Sequence, residues 1–367
     1  MSYTLGMTKK QKMAGVRVID LFSGIGGLTH GFVLEGFEVV AGIDIDGDCR
    51  HGFEKNNGSK FLKKDISRVT ARELKELYGD APVKVLVGCA PCQPFSTLNR
   101  TRTMYEKEDE HWKPLRKFLS LVLKVKPDIV SMENVKELAD EQKYPVFGEF
   151  VRSLKRNGYK VNYKVVDASR YGVPQTRKRL VLLASRLGEI SLIPETHGVD
   201  NLPTVREAIA DLPKLGDGET HSADTFHRAS RLSGTNKKRI IATPKNGGSA
   251  KSWRKALLPE CYKTEDENTY KASVYGRMRW DTPGPTMTTH CITLGTGRYG
   301  HPDQDRAISL REAARLQTFP DYYEFVAPDE VSMTKVARFI GNAVPVRLGQ
   351  AIAISIRNHL RSFSSTK

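Results

Sequence analysis

Cys92 stands in the stretch Gly88-Cys89-Ala90-Pro91-Cys92-Gln93-Pro94-Phe95-Ser96, directly after the apolar run Val83-Lys84-Val85-Leu86-Val87. A strand that delivers a proline-flanked cysteine into a loop presents one thiolate rigidly to a substrate, because proline fixes φ and stiffens the turn. Cys92 is therefore the candidate nucleophile. Cys89 and Cys92 also form a C-x-x-C, open to two other readings, half of a zinc site or a redox pair. Against zinc, Cys49, Cys261 and Cys291 stand alone, and against a redox pair, Pro94 and the polar stretch beyond it postpone the next helix. Glu133 closes the run Pro127-Asp128-Ile129-Val130-Ser131-Met132, either as a carboxylate at the tip of a parallel strand or as a plain helix cap. Arg177 and Arg179, two apart at the start of a strand, point the same way and can reach one pocket, unless they are solvated edge charges or phosphate contacts.

A doubly wound, mostly parallel α/β sheet with a second, smaller loop-rich domain would place these groups. Val16 to Phe22 reads as a buried strand ending in a glycine-rich turn, and Leu28, Phe32 and Val33 keep helical spacing after it. Glu38 to Asp44 is a second strand, and Asp44 lies at the interval beyond Gly24 where a carboxylate meets a ribose. A dinucleotide would ask for a third glycine where Gly24-x-Gly26-x-x-Thr29 has threonine. A short strand ends at Asp65, and Thr70 with Glu73 makes a capping box for a helix to Tyr78. Leu98 to Trp112 shows no period and is read as a lid or a solvated linker. Helices over Leu115 to Lys126 and Tyr144 to Asn157 follow, with strands at Lys160 to Asp167 and, last in the sheet, Arg179 to Ser185. Leu187 to Arg306 is rich in Gly, Pro, Ser and Thr with scattered cations. Ser309 and Glu312 then cap a helix whose repeated charges could brace that lobe, and Thr334 to Ile340 is a helix expected to break at Gly341-Asn342. Val346 to Leu360 is the last helix.

The 367 residues carry a net charge of +16, the electrostatic footprint of a protein that grips a polyanion and a poor match for an acidic partner. No apolar run is expected to cross a bilayer, and Met1 to Lys12 lacks the core of a signal peptide, so a cytoplasmic protein, at the nucleoid through DNA, is expected. Five cysteines are no disulfide framework.

Together, Asp20-Leu21-Phe22-Ser23-Gly24-Ile25-Gly26-Gly27, Pro91-Cys92, Glu133-Asn134-Val135, Gln175-Thr176-Arg177-Lys178-Arg179 and Gly341-Asn342-Ala343-Val344-Pro345 resemble the cytosine-C5 DNA methyltransferases of prokaryotic modification systems. The resemblance implies a class I, Rossmann-like methyltransferase that flips a cytosine out of duplex DNA and methylates its C5, using S-adenosylmethionine, leaving S-adenosylhomocysteine and needing no metal. It assigns Cys92 to C6 of the base, Glu133 to N3 and the exocyclic amine, and Arg179 to the O2 side with Arg177 supporting it. For the cofactor it implies Phe22, Ser23, Gly24, Gly26 and Gly27 around the methionine part, Asp44 and Ile45 at the ribose, Asp65 and Ile66 at the adenine, Pro91 beside the sulfonium and Asn342. Ile45 stands where relatives often place an aromatic, and Gly88-Cys89-Ala90 departs from the usual approach to the Pro-Cys pair, with Cys89 assigned to packing.

For DNA the expected contacts are Gln93 and Ser96 beside the nucleophile and Arg228, Lys237, Lys238, Arg239 and Arg277 in the lobe. Tyr275 to Asp281 reads at the same time as scaffold. The organisation expected is a catalytic domain over 1–186, a target recognition domain over 187–308 and a returning segment over 309–367, acting as a monomer on a specific short duplex sequence. A transfer-RNA methyltransferase of the same family is the alternative, disfavoured by the large lobe. A binding protein without turnover would lack the intact Cys92, Glu133 and Arg179 set, and a nicotinamide oxidoreductase would need NAD. No cognate endonuclease can be inferred from the chain.

Overall fold

Val16–Leu21 is apolar at every position but Arg17 and Asp20, and forms the strand β1. The computed structural model describes residues 12–91, 108–262 and 274–365. The chain continues through α1 (Gly27–Leu34), β2 (Glu38–Asp44), α2 (Arg50–Asn57), β3 (Lys60–Lys63), α3 (Ala71–Tyr78) and β4 (Val83–Gly88). After that come α4 (Glu108–Val125), β5 (Ile129–Val135), α5 (Pro145–Arg156), β6 (Lys160–Asp167) and β7 (Lys178–Ser185). The Thr70 and Glu73 capping box is present at the start of α3. α4 begins at Glu108, not near Leu115, so the aperiodic stretch expected up to Trp112 is helical at its end, and Leu98 to Lys107 lies outside the described residues.

The sheet runs β3-β2-β1-β4-β5-β7-β6. β1 pairs in parallel with β2 and β4, β2 with β3, and β4 with β5. β7, the last strand of this sheet in chain order as expected, is antiparallel to both β5 and β6 and sits inside the sheet, with β6 at the edge. The strand order reverses between β1 and β4, and ligands of open α/β sheets bind beyond the carboxyl ends of the strands at such a point. One face of the sheet is closed by Tyr78, Phe118, Phe147 and Phe150 from α3, α4 and α5, all buried. On the returning α10 (Val346–Ser365), Arg357 and Gln350 both donate to the buried Glu35 carboxylate just after α1.

Two compact units divide the chain: one takes Ala168–Arg177 and Thr196–Pro345, while the sheet, Lys178–Glu195 and Val346 onward make the other. The first contains α6 (Val205–Ile209), the two-stranded β8 (Thr220–His221) and β9 (Asp224–Arg228), α7 (Gly234–Ala242), α8 (Leu310–Leu316) and α9 (Met333–Asn342), joined by long irregular segments. α8 carries the expected Ser309 and Glu312 capping box, and its charges do brace this unit: Arg311 holds Asp224, and Arg315 holds Asp211 and Asp321. α9 ends at Asn342, at the expected Gly341-Asn342 break. A Cβ on Gly341 would lie 2.2 Å from the Thr288 backbone, so this glycine also serves a close approach.

Among the described residues one stretch, 333–363, passes a test for a membrane span by length and composition alone. Its apolar window is 78% buried inside the fold, as in a core helix.

Candidate functional site

The turn after β1 is bent by three residues with positive φ. Gly24 (50°) and Gly26 (93°) take it freely, whereas Phe22 (59°) holds a conformation that costs a bulky residue about 1–3 kcal/mol and is typical of functional sites. Gly24 N–H donates to Asp44 Oδ2 at 2.8 Å, so the first and second strand ends are tied through the carboxylate singled out by its spacing. The other oxygen of Asp44 accepts from Asp46 N–H at 2.8 Å, and burial raises the carboxyl above its usual range. Ser23 is buried and its Oγ has no hydrogen-bond partner, and space is open beside the α-carbon of Gly24. Gly26 caps α1 and Gly27 is its first residue.

Asp65, just past β3, accepts from Ser67 N–H at 2.8 Å, and that bond lowers its pKa. Ile66 packs against the core below, and Ile45 is 65% exposed. Pro91 is exposed beyond β4, and Asn342, the last residue of α9, is exposed on the other unit. An orphaned hydroxyl, an open glycine turn and a carboxylate with acceptor capacity to spare suit a ligand rich in hydroxyl and amino donors, such as S-adenosylmethionine.

Strand register assembles a second cluster on the same rim. β4 and β5 pair Gly88 with Met132, so the next residues, Cys89 and Glu133, come abreast. Cys89 Sγ donates to Glu133 Oε2 at 2.9 Å. Across the antiparallel pair, Glu133 lies opposite Val181, and Arg179, two residues from Val181, shares its face and is a diagonal neighbour within reach of a long side chain. Arg179 Nε lies 3.2 Å from Glu133 Oε1, an ion-pair distance, yet this buried oxygen accepts no hydrogen bond among the described residues because the N–H is not directed at it. Glu133 is 2% exposed. Asn134 Nδ2 donates to Ala90 O at 3.1 Å and pins the loop after β4 to β5.

Three expectations change. Cys89 is not mere packing, since its thiol holds the central carboxylate. Arg177 does not share partners with Arg179: it is buried and donates to Met287 O at 2.8 Å and to Gly341 O and Ala343 O at 3.3 Å. It precedes β7, so the alternation of side chains along a strand does not govern it. Arg277 is fully buried, and its guanidinium donates to Thr243, Ile240, His301, Gln304 and Asp305, which leaves no face for a phosphate.

Lys237 binds Asp305 O and pairs with Asp217, and Arg239 lies over Trp253 and Tyr275, whereas Arg228 and Lys238 are exposed. Cys92, Gln93 and Ser96 lie outside the described residues. Among the described residues no three His, Cys, Asp or Glu side chains form a group that could hold a metal. Sequence reasoning passed over Gln317, whose amide donates to Ala343 O at 3.1 Å and whose Oε1 accepts from Gln175 at 2.7 Å. Nothing local in the sequence marks that pairing, because the two glutamines are 142 residues apart.

Known proteins resemble this chain in sequence and in fold. The family profile described as C-5 cytosine-specific DNA methylase matches residues 16–358. The type II methylase M.HgiDII of Herpetosiphon aurantiacus is 48% identical over 343 residues, covering 94% of this chain and 95% of that protein. The type II methyltransferase M1.HphI of Haemophilus parahaemolyticus is 31% identical over 341 residues, 92% of this chain and 86% of its own. In fold, the chain is similar to a crystal structure from E. coli described as a prophage-encoded DNA modification methyltransferase, with TM-score 0.66 and 24% identity over 94% of this chain and 99% of that one.

Proposed function

Because the chain belongs to the C-5 cytosine-specific DNA methylase family and is a DNA (cytosine-5)-methyltransferase using S-adenosylmethionine, we propose that Cys92, Glu133 and Arg179 do its chemistry on one flipped-out cytosine. Cytosine C5 is too weak a nucleophile to be alkylated directly. The Cys92 thiolate adds to C6, and the electron pair displaced from the C5–C6 bond makes C5 enamine-like while charge builds toward N3. Glu133 meets N3 through a hydrogen bond and supplies the proton held there. Arg179 steadies the O2 side. S-adenosylmethionine supplies, when bound, an electrophilic methyl group on sulfur for C5. Loss of the C5 proton to solvent then re-forms the C5–C6 double bond and expels the Cys92 thiolate, while N3 returns its proton to Glu133.

The observation that supports this reading is a carboxylate buried in β5, two residues before its end and abreast of the first residue past β4, with one oxygen lacking a hydrogen bond among the described residues and a guanidinium beside it. Phe22, Ser23, Gly24, Gly26, Gly27, Asp44, Ile45, Asp65, Ile66, Pro91 and Asn342 are proposed to hold the cofactor. Arg177 is proposed to support the site by fixing the backbone on either side of Asn342. The unit with irregular segments is proposed to recognise a specific short duplex sequence, with the catalytic, recognition and returning parts divided near residues 187 and 309, and the protein is proposed to act as a monomer at the nucleoid. Incubation with a 5-fluorocytosine duplex and S-adenosylmethionine should trap a covalent protein–DNA adduct, with none formed by Cys92→Ala or on transfer RNA. An adduct that survives Cys92→Ala refutes the assignment.

A further inference from the structure

We propose that Cys89 is a positioning residue, its S–H holding Glu133 Oε2 so that Oε1 is the oxygen presented to N3 of the target cytosine. The inference rests on the role given to Glu133 above. The terminal torsion of a glutamate is broad and roughly two-fold, so a carboxylate held on one side only would exchange its two oxygens readily. Here they are made unlike. Oε2 accepts from Cys89 Sγ at 2.9 Å, whereas Oε1 is buried and accepts no hydrogen bond among the described residues, the Arg179 Nε–H 3.2 Å away not being aligned with it.

The thiol is itself held in place. The parallel register brings Cys89 abreast of Glu133, and Asn134 fixes the carbonyl of Ala90, the residue that follows. In a neutral carboxyl the carbonyl oxygen is the better acceptor, so a donor at one oxygen favours the proton on the other. Oε1 is thereby the oxygen left to carry the proton. A thiol suits the task because it is a weak donor and leaves the carboxyl able to change its protonation state during the reaction.

The test is the single-turnover rate of adduct formation with a 5-fluorocytosine duplex, measured with duplex affinity and melting temperature. Cys89→Ala is expected to slow the adduct about five- to tenfold, the worth of one modest hydrogen bond, with duplex affinity unchanged. Cys89→Ser, which restores a donor of similar reach, should recover most of that loss. In a Glu133→Gln background Cys89→Ala should cost nothing more. A wild-type rate for Cys89→Ala, a Ser variant as slow as the Ala variant, or an equal loss in the Glu133→Gln background would each overturn the inference. Should Glu133→Gln itself react at the wild-type rate, the role of Glu133 falls, and the inference with it.

Discussion

Asp20 sits one residue from the end of β1, 1% exposed, with Oδ2 accepting from Thr29 Oγ1 at 2.6 Å and Oδ1 without a partner. Burial raises its pKa to about 7, against the pull of the Thr29 bond and with a push from the Asp44 charge. The folded protein therefore keeps a proton on Asp20 over a range in which the unfolded chain has released it. That contribution to stability is whole below the unfolded value of 3.8 and is lost as pH rises through about 7. Wild-type denaturant midpoints should fall from pH 5 to pH 8 by more than those of Asp20→Asn, which has no such proton to lose. Parallel pH dependence in the two proteins would show that Asp20 is charged throughout. The same carboxyl borders the glycine turn proposed to hold the cofactor, so its neutral form spares that turn a second buried negative charge beside Asp44.

At the scale of elements, α8 shows how a cap and a partner from the irregular segment just before it combine. Ser309 and Glu312 form a capping box, with Glu312 N–H donating to Ser309 Oγ at 3.1 Å. The Glu312 carboxylate also receives both arms of the fully buried Arg306, each at 2.7 Å. Burial alone would raise its pKa, but the Arg306 bonds and charge outweigh that and bring it to about 2. Glu312→Gln leaves a buried guanidinium without its counter-charge and should lower stability by about 3–5 kcal/mol in urea titration. A loss under 1 kcal/mol would mean that water reaches Arg306 and screens it. The capping box was legible as Ser-x-x-Glu, whereas the ion pair joins α8 to an irregular segment whose path no periodicity describes.

Across the whole molecule, 58 Lys and Arg against 42 Asp and Glu leave a net charge of +16, and affinity for duplex DNA should weaken as salt rises. Not every cation contributes. Arg277 and Arg306 are buried within their own unit, while Arg228 and Lys238 stand exposed. If those two meet phosphates, Arg228→Ala with Lys238→Ala should flatten the slope of log K against log salt by about 2, one per lost contact, as read by fluorescence anisotropy. An unchanged slope would place the DNA on another face.

The resemblance of the motifs implied the reaction class, while the order of strands and helices, the glycine turn and the spacing of Asp44 follow from the chain itself. They depend on residue types at short range, where apolar periodicity and turn chemistry act directly. The tertiary structure decided which groups meet. The antiparallel place of β7 puts Arg179 on the same face as Glu133, and a parallel register one residue either way would have taken Cys89 from beside it. Arg177 and Arg277 looked like site and DNA contacts because charge reads as exposed, yet each is buried in a ring of backbone carbonyls. Whether a guanidinium serves a ligand or the fold depends on which carbonyls surround it, and those come from segments as much as 166 residues away.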